Sequence, residues 1–286
     1  MRRRIVSLSS LLSQQDPLVV PIGYDAISTR LIERAGFPIA GLGGFGIVGF
    51  RYGLPDLDLV GFGEMSAAVR DIAQATSIPL IVDADTGYGD VKNVYRTVRT
   101  YEDMGISAII LEDQVSPKSC GHMGVLKRLV SADEHALKLR AAVDARTDGS
   151  FSIIARTDAR GIEGLEAAID RGKRYADQGI AGLFIEAPRS IQELEAIGKS
   201  FDIPLIINAA ESGGTPILTP NEYKELGFSI VFYTSSLFLR VIEVIQYSLE
   251  FIKRGEFPEG RLLPSFKDLT DIMGLPAWAE IGERYS

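Results

Sequence analysis

Short apolar runs alternate with amphipathic stretches along the whole chain. The apolar runs are rich in Ile, Val and Leu and fit buried strands, whereas the stretches between them place apolar residues at helical spacing. The predicted strands cover residues 18–22, 38–42, 80–83, 108–111, 152–155, 182–185, 205–207 and 229–232. The predicted helices cover residues 25–35, 63–76, 91–104, 132–146, 163–178, 190–199, 220–226 and 235–253.

Glycines end several of the predicted helices. Gly36, Gly105, Gly179 and Gly227 each stand between a helix and the next strand, where a left-handed backbone conformation closes the helix. Eight strand–helix units in about 250 residues fit a closed (β/α)8 barrel of the TIM type, and an open doubly wound sheet is the alternative. We therefore expect one barrel domain over residues 1–286.

The C-terminal tail, residues 254–286, has no strand of its own to cover. Its apolar residues recur at helical spacing and include Leu269, Ile272, Leu275 and Trp278. Extra helices with an apolar face need a partner surface, so we expect the tail to pack in an oligomer. Folding back under its own barrel is the alternative.

The composition is that of an ordinary globular protein, with 46% hydrophobic and 24% charged residues among 286. A formal net charge of -8 argues against a nucleic-acid or anionic-membrane partner, which needs a basic surface. No apolar run approaches the length of about 18 residues that would span a membrane. A single cysteine excludes an intramolecular disulfide, and the basic first residues lack the apolar core of a signal peptide, so a cytoplasmic location is expected.

Charged and amide side chains follow five consecutive predicted strands. They are Asp83 and Asp85 after the third, Glu112 and Asp113 after the fourth, Arg156 and Asp158 after the fifth, Glu186 after the sixth, and Asn208 and Glu211 after the seventh. The carboxyl ends of barrel strands converge on one pocket, where crowded carboxylates repel each other unless a cation lies among them. Oxygen ligands favour Mg²⁺, or Mn²⁺, and a rim of solvated charges is the alternative.

The only cysteine, Cys120, lies in a segment rich in reactive groups. A lone cysteine is usually a small buried hydrophobe, but Lys118 and His122 would lower the pKa of its thiol if they lie close to it. We therefore expect these three residues to take part in chemistry. The other histidine, His135, stands beside Glu134 in a predicted helix and is expected at the surface.

A glycine-rich stretch, residues 41–46, follows the second strand. Gly43 and Gly44 would let a carboxylate or phosphate approach backbone N–H groups. The stretch lacks both the dinucleotide-binding spacing and the Lys-Ser/Thr of a P-loop, so it is interpreted as a tight barrel loop.

Five motifs, in order, resemble the isocitrate lyase and phosphoenolpyruvate mutase superfamily. They are DADTGYG at 83–89, LEDQ at 111–114, PKSCGH at 117–122, ARTDA at 155–159 and the segment 208–216. The resemblance covers about residues 24–233. It is strongest to short members such as 2-methylisocitrate lyase, dimethylmalate lyase, oxaloacetate hydrolase and carboxyphosphonoenolpyruvate mutase.

The resemblance implies a Mg²⁺-dependent barrel that acts on small 2-oxo or 2-hydroxy carboxylates through an enolate-like fragment. It also implies a homotetramer that exchanges the last barrel helix between subunits. Asp83 would bind the metal directly, and Asp85, Glu112 and Asp56 would hold metal-bound waters. Arg156 would bind the substrate carboxylate. The other substrate-binding residues implied are Tyr24, Gly43, Gly44, Gly121, Glu186, Asn208 and Thr215.

Breaking a carbon–carbon bond in a 2-hydroxy acid requires a metal for the developing oxyanion and an acid for the departing carbon, a role that suits Cys120. The leading hypothesis is therefore a lyase for a substituted malate or related 2-hydroxy di- or tricarboxylate. Phosphonomutase or hydrolase chemistry on carboxyphosphonoenolpyruvate, phosphonopyruvate or oxaloacetate is the alternative. A third hypothesis is a non-catalytic protein that binds a metal and a carboxylate. It is suggested by Gly41 and Gly43, which replace the Tyr and Ser that the similar lyases carry after the second strand.

Overall fold

Eight parallel strands close into a barrel in chain order. The computed structural model describes residues 5–119, 127–211, 213–258 and 263–286. The strands are β1 (Leu18–Gly23), β2 (Ala40–Leu42), β3 (Leu80–Asp83), β4 (Ala108–Glu112), β5 (Ser152–Thr157), β6 (Gly182–Ile185), β7 (Leu205–Asn208) and β8 (Ile230–Tyr233). β8 pairs with β1, with Val20 opposite Phe232, so the predicted (β/α)8 barrel is confirmed and the open sheet is excluded.

Helices surround the barrel and extend beyond it at the C-terminus. They are α1 (Leu8–Leu12), α2 (Ala26–Arg34), α3 (Gly44–Tyr52), α4 (Phe62–Ala75), α5 (Val91–Asp103), α6 (Ala132–Ala145), α7 (Leu165–Ala176), α8 (Ile191–Gly198), α9 (Pro220–Glu225), α10 (Ser236–Ile252), α11 (Phe266–Met273) and α12 (Leu275–Arg284). Gly36, Gly105, Gly179 and Gly227 all have positive φ, from 76° to 95°, as predicted for helix-ending glycines.

The glycine-rich stretch, residues 41–46, spans the end of β2 and the start of a helix, α3, and does not form the tight loop that its composition predicts. Glycine costs about 1 kcal/mol relative to alanine inside a helix, so the local sequence argues against one. α3 forms because Ile47 and Val48 bury themselves against the barrel, where they are 1% and 4% exposed. Tertiary packing therefore overrides the weak helix propensity of this segment.

Strand residues alternate between the barrel interior and the layer beneath the helices. One apolar cluster fills the interior and includes Ile81, Ile110, Phe184 and Phe232, while a second lies between strands and helices. Both faces of each strand are thus buried, which explains the continuous apolar runs in the sequence. The filled interior restricts ligand binding to the strand ends.

The C-terminal helices pack only loosely on the barrel. In α10 only Phe238 is buried, and α11 and α12 bury no residue. α11 lies against α2, where Arg30 Nη1 donates a hydrogen bond to the Ile272 carbonyl at 2.8 Å. Across the described ranges, no helix combines the length and the apolar character that crossing a membrane requires.

Candidate active site

A cavity of about 460 Å³ lies at the carboxyl ends of the strands. It is lined by most of the predicted site residues. These are Gly43, Gly44, Asp56, Asp83, Glu112, Lys118, Arg156, Glu186 and Asn208. Cys120, Gly121 and His122 lie outside the described residues.

Two predicted substrate-binding residues are not part of the cavity lining. The ring of Tyr24 is buried and stacks on Phe50, with the ring centroids 4.3 Å apart. Thr215 is partly exposed on the loop after β7, where its neighbour Gly214 reaches the cavity instead. The predicted contacts of Tyr24 and Thr215 with substrate therefore stay predictions.

Lys118 neutralises two of the four predicted metal-ligand carboxylates. Its side chain is almost fully buried, and its Nζ lies 2.7 Å from Asp56 Oδ2 and 2.8 Å from Asp85 Oδ1. Asp85 has a left-handed backbone, with φ 49°, and its N–H donates to Asp83 Oδ1 at 3.2 Å. A Cβ atom at Gly44 would lie 3.4 Å from Asp85 Oδ1, so glycine here keeps the backbone close to the carboxylates.

Burial and mutual repulsion perturb the titration of these carboxylates. Burial, with repulsion from Asp85, raises the pKa of Asp83 to about 6. Burial raises the pKa of Glu112 to about 8, because the attraction of the Arg156 charge offsets only part of the effect of burial. For Lys118, burial would lower the pKa, but the surrounding carboxylates outweigh it and raise the pKa well above its ordinary value. Burial and mutual repulsion therefore disfavour the ionised form of these carboxyl groups, and binding of a cation would offset both effects.

The donor atoms present fit a hard divalent cation. They are carboxylate oxygens, the ligands that Mg²⁺ and Mn²⁺ prefer. Glu112 Oε1 is buried and accepts no hydrogen bond from any described group. Among the residues with assigned positions, no three His, Cys, Asp or Glu side chains are already grouped tightly enough to hold an ion. The Lys118 ammonium lies between Asp56 and Asp85.

Arg156 joins three carboxylates at the opposite side of the cluster. Its Nη2 lies 3.0 Å from Asp158 Oδ1 and 3.6 Å from Glu186 Oε2, and its Nε lies 3.5 Å from Glu112 Oε2. Lys127 also forms an ion pair with Asp158 and lines the cavity. Burial would raise the pKa of Asp158, but these two cations lower it to about 2. Sequence reasoning missed Lys127, which no motif or strand end signals.

Asp113 faces away from the cavity, although its position after β4 suggested a pocket residue. Successive strand residues point to opposite faces, so Glu112 faces the cavity and Asp113 faces the helices. Asp113 is fully buried and accepts hydrogen bonds from Thr157 Oγ1 at 2.7 Å and Tyr175 Oη at 2.9 Å. It also accepts one from the Asp158 N–H at 3.0 Å. Asp113 therefore fixes the end of β5, from which Arg156 projects.

His135 is buried, and its expected surface position is wrong. The side chain is 1% exposed, and its ring meets the ring of Tyr175 edge-on with centroids 4.7 Å apart. His135 lies on the inner face of α6, and its place in the sequence beside Glu134 did not indicate this burial. Burial, aided by the nearby charge of Lys138, lowers the pKa of His135 to about 3.

This burial makes stability depend on pH. The pKa of His135 is about 3 in the folded chain and about 6.5 when solvated, so the unfolded chain binds the proton more readily. The stabilisation of the folded chain that depends on neutral His135 is complete above pH 6.5 and is lost as the pH falls towards 3. We expect about 3 kcal/mol of loss from this group at pH 4.5, and His135→Leu should flatten the curve of unfolding free energy by that amount. Parallel curves for the two proteins would contradict this.

Asp58 holds the segment that carries Lys118, a role that sequence reasoning missed. Its Oδ2 accepts hydrogen bonds from Ser116 Oγ and from the Lys118 N–H, both at 2.8 Å. Its backbone is left-handed, with φ 59°, a conformation that Asn and Gly also adopt. Asp58 therefore docks this segment onto the loop that also supplies Asp56.

Asp58→Gly should reduce kcat about tenfold with little change in melting temperature. Glycine relieves the left-handed backbone but removes the acceptor that positions Lys118. Asp58→Asn keeps both an acceptor oxygen and the preference for this backbone, so it should retain most of the activity. Steady-state kinetics of the two variants test whether Asp58 positions Lys118, and their melting temperatures show whether both are folded. Equal loss of activity in both variants would contradict this positioning role.

The family model described as phosphoenolpyruvate phosphomutase matches residues 8–253. A 2,3-dimethylmalate lyase from Eubacterium barkeri is 36% identical over 282 residues, which cover 98% of this chain and 97% of that protein. A chloroplastic carboxyvinyl-carboxyphosphonate phosphorylmutase from Arabidopsis thaliana is 36% identical over 282 residues, covering 96% and 83%.

Two solved structures show the same fold along nearly the whole chain. An oxaloacetate acetylhydrolase in complex with the inhibitor 3,3-difluorooxalacetate has a TM-score of 0.90 at 32% identity, covering 97% of this chain and 95% of that one. A phosphonopyruvate hydrolase in complex with oxalate and Mg²⁺ has a TM-score of 0.85 at 29% identity, covering 97% of each chain. The chain therefore belongs to the phosphoenolpyruvate phosphomutase family and is an enzyme of the PEP mutase/isocitrate lyase superfamily.

Proposed function

We propose that the protein is a Mg²⁺-dependent carbon–carbon lyase. Its substrate would be a substituted malate or a related 2-hydroxy di- or tricarboxylate, cleaved to an oxo acid and a carboxylate. The observation that carries this proposal is the convergence of Asp56, Asp83, Glu112, Lys118 and Arg156 on one cavity. Similarity to 2,3-dimethylmalate lyase over nearly the whole chain supports the reaction class.

The acidic end of the cavity would hold the ion. Asp83 would bind it directly, and Asp56, Asp85 and Glu112 would hold its waters. A bound Mg²⁺ supplies charge stabilisation for the enolate-like oxygen that forms during cleavage. The Mg²⁺ and oxalate complex of a related phosphonopyruvate hydrolase supports the choice of metal.

Arg156 would bind the substrate carboxylate, because its guanidinium is the planar, permanently charged group that suits a bidentate contact. Gly43 and Gly44 would offer backbone N–H groups to the other end of the substrate, beside Glu186 and Asn208. The Lys118 ammonium, already paired with two carboxylates, would balance the charge of the anionic substrate.

Cys120 would donate the proton to the departing carbon, and Lys118 and His122 would increase the acidity of its thiol. Lys118 stands two residues before this cysteine and faces the cavity, which supports a site nearby. Cys120→Ser should lower kcat about a hundredfold while oxalate binding persists.

A substrate panel tests the reaction class. Purified protein is incubated with Mg²⁺ and a series of 2-hydroxy di- and tricarboxylates, and pyruvate or glyoxylate-type products are detected. Turnover should depend on Mg²⁺ and stop with EDTA. No turnover of any member would contradict the proposal.

Phosphorus or oxaloacetate chemistry is the second candidate. The structural similarity to an oxaloacetate acetylhydrolase and the sequence similarity to a phosphorylmutase favour it. Oxaloacetate, phosphonopyruvate and carboxyphosphonoenolpyruvate therefore belong in the same panel. Reaction of these compounds without cleavage of hydroxy acids would select this candidate. Stabilisation by oxalate without any turnover would indicate a binding protein.

We also propose a cytoplasmic homotetramer, in which α10 and the tail, residues 254–286, pack between subunits. α10 leaves Ile245, Leu249 and Ile252 at least half exposed in the single chain, which supports a partner surface. Light scattering after size-exclusion chromatography tests the assembly, which should contain four chains of 31.1 kDa.

A further inference from the structure

A buried hydrogen-bond network lies behind the cavity, between the ends of β4 and β5 and the helix α7. Its centre is Asp113, whose Oδ2 accepts hydrogen bonds from Arg171 Nη1 at 3.3 Å and from Tyr175 Oη at 2.9 Å. The side chain of Asp113 is fully buried and that of Arg171 is 11% exposed. Neither residue lines the cavity, so the network can affect a bound ligand only through residues that do.

Arg171 joins Asp113 to the segment that precedes α6. Its Nη1 also donates a hydrogen bond to the Val130 carbonyl at 2.9 Å, and the Val130 N–H donates one to the Asp113 carbonyl at 3.0 Å. The other side of the guanidinium, Nε and Nη2, donates to the two carboxylate oxygens of Glu163, both at 2.8 Å. One guanidinium thus binds three segments of the chain at once, which its five N–H donors in a rigid plane allow.

The segment that precedes α6 pairs with the residues that follow β4. Residues 113–115 run antiparallel to residues 128–130, an arrangement that we call the bridge. Within the bridge, the Val115 N–H donates a hydrogen bond to the Arg128 carbonyl at 2.8 Å. Lys127 comes directly before the bridge and lines the cavity. The register of the bridge therefore decides where the Lys127 ammonium lies.

Lys127 forms an ion pair with Asp158, and Asp113 fixes the position of Asp158 as well. Asp113 Oδ1 accepts a hydrogen bond from the Asp158 N–H at 3.0 Å, while its Oδ2 accepts the one from Arg171. Both partners of the ion pair are therefore placed relative to one buried carboxylate. Asp158 also lies 3.0 Å from Arg156 Nη2, so the ion pair adjoins the guanidinium assigned to the substrate.

The charge of Asp158 is shared by two cations. Its side chain is 1% exposed, so water screens little of its attraction for Lys127 or Arg156. If Lys127 moved away, the unshared carboxylate would attract the Arg156 guanidinium more strongly and leave less of its positive charge for an anionic ligand. Correct placement of Lys127 thus keeps Arg156 available to bind a carboxylate.

We infer that Arg171 is a positioning residue, which sets the register of the bridge and thereby places Lys127 against Asp158. The inference rests on the proposed function, because it assigns Arg156 a carboxylate to bind. Arg171 acts from outside the cavity and touches no ligand. Its effect on binding should therefore disappear when the Lys127 ammonium is absent, whereas a general effect on folding would persist.

Hydrogen exchange followed by mass spectrometry of the full-length protein tests the bridge without requiring turnover. Arg171→Lys keeps the positive charge, but the lysine side chain is one bond shorter and cannot hold Val130 and Glu163 together. Peptides that contain Val115 or Val130 should exchange about tenfold faster in this variant. Unchanged exchange would overturn the inference, whether or not the protein turns over any substrate.

Titration calorimetry with oxalate in the presence of Mg²⁺ tests the consequence for Arg156. Arg171→Lys and Lys127→Met should each weaken oxalate binding about tenfold, the effect expected when one hydrogen bond is lost. The double variant should also bind oxalate about tenfold more weakly, because Arg171 acts through Lys127. A loss of about a hundredfold in the double variant would show independent effects and overturn the inference.

Two controls separate positioning from folding. Arg146→Lys removes a partly buried arginine that donates to the Val143 and Phe151 carbonyls, both at 3.1 Å, near the amino end of β5. Glu163→Gln weakens the outer contact of Arg171 and leaves the Nη1 contacts in place. Both controls should keep oxalate affinity and peptide exchange within twofold of the unmodified protein. A tenfold loss of affinity in Arg146→Lys would reduce the effect of Arg171 to one on folding and overturn the inference.

The outcomes also separate the inference from the proposed function. Both expected effects of Arg171→Lys, without turnover of any carboxylate by the unmodified protein, would overturn the proposed function alone. Faster exchange with unchanged oxalate affinity would overturn the inference alone. Failure of the unmodified protein to bind oxalate would overturn both.

Discussion

Arg156→Lys should reduce turnover about a thousandfold while the protein remains folded. The guanidinium contacts Asp158 through Nε at 3.1 Å and Nη2 at 3.0 Å, and it lies within 3.6 Å of Glu112 and Glu186. Lysine keeps the charge but cannot reproduce this planar pair of contacts. Under the proposed function the same two donors bind the substrate carboxylate, and the loss of two charge-assisted hydrogen bonds in the transition state, about 4 kcal/mol together, corresponds to about a thousandfold in rate.

Arg160→Lys provides the matched control for this substitution. Arg160 also makes a bidentate contact, with Glu193 at 2.9 Å and 2.5 Å, but it does not line the cavity. We expect this variant to retain activity within a few fold. Steady-state kinetics measure the turnover of both variants, and thermal unfolding shows whether both are folded. A comparable loss in both, or near-normal activity of Arg156→Lys, would disprove the role of Arg156.

Lys118→Met should lower kcat about a thousandfold and strengthen Mg²⁺ binding at least tenfold. The ammonium forms ion pairs with Asp56 and Asp85, so its removal frees these two carboxylates to interact with the metal ion. A positive charge several ångströms from a divalent ion costs about 4 kcal/mol or more at an effective dielectric constant near 20, and the variant lacks this repulsion. Under the proposed function, turnover falls because a preorganised positive charge near the developing oxyanion is lost.

The opposite signs of these two effects make the prediction specific. Calorimetric titration with Mg²⁺ measures the affinity, and kinetics at saturating Mg²⁺ measure kcat. Lys138→Met is the control, since Lys138 is also buried but contacts the Thr86 carbonyl at 3.4 Å, outside the cavity. Unchanged Mg²⁺ affinity in Lys118→Met would show that the ammonium does not compete with the ion.

The barrel was predictable because its strands are buried on both faces. Such strands appear as continuous apolar runs, and β3 and β6 begin and end at the predicted residues. α3 was not predictable, because glycines at 44, 46 and 49 lower its intrinsic helix propensity and only contact with the barrel compensates.

The candidate site was predictable where it follows strand ends. Asp83 and Glu112 end β3 and β4, Arg156 is the last residue but one of β5, and barrel geometry alone requires them to converge. Asp113 shows the limit of this reasoning, because a shift of one residue turns a side chain from the cavity to the helix layer. Asp58 and Lys127 belong to loops, whose paths no periodicity specifies.

The sequence by itself determined the alternation of strands and helices, the closed barrel and the strand ends that carry charge, since these follow from local hydrophobic periodicity. Only the tertiary structure decided that Lys118 pairs with Asp56 and Asp85, that His135 is buried and that Ile22 fills the space beside Gly41. Such contacts join residues far apart in the chain. Their distances depend on how whole elements pack, which local patterns do not encode.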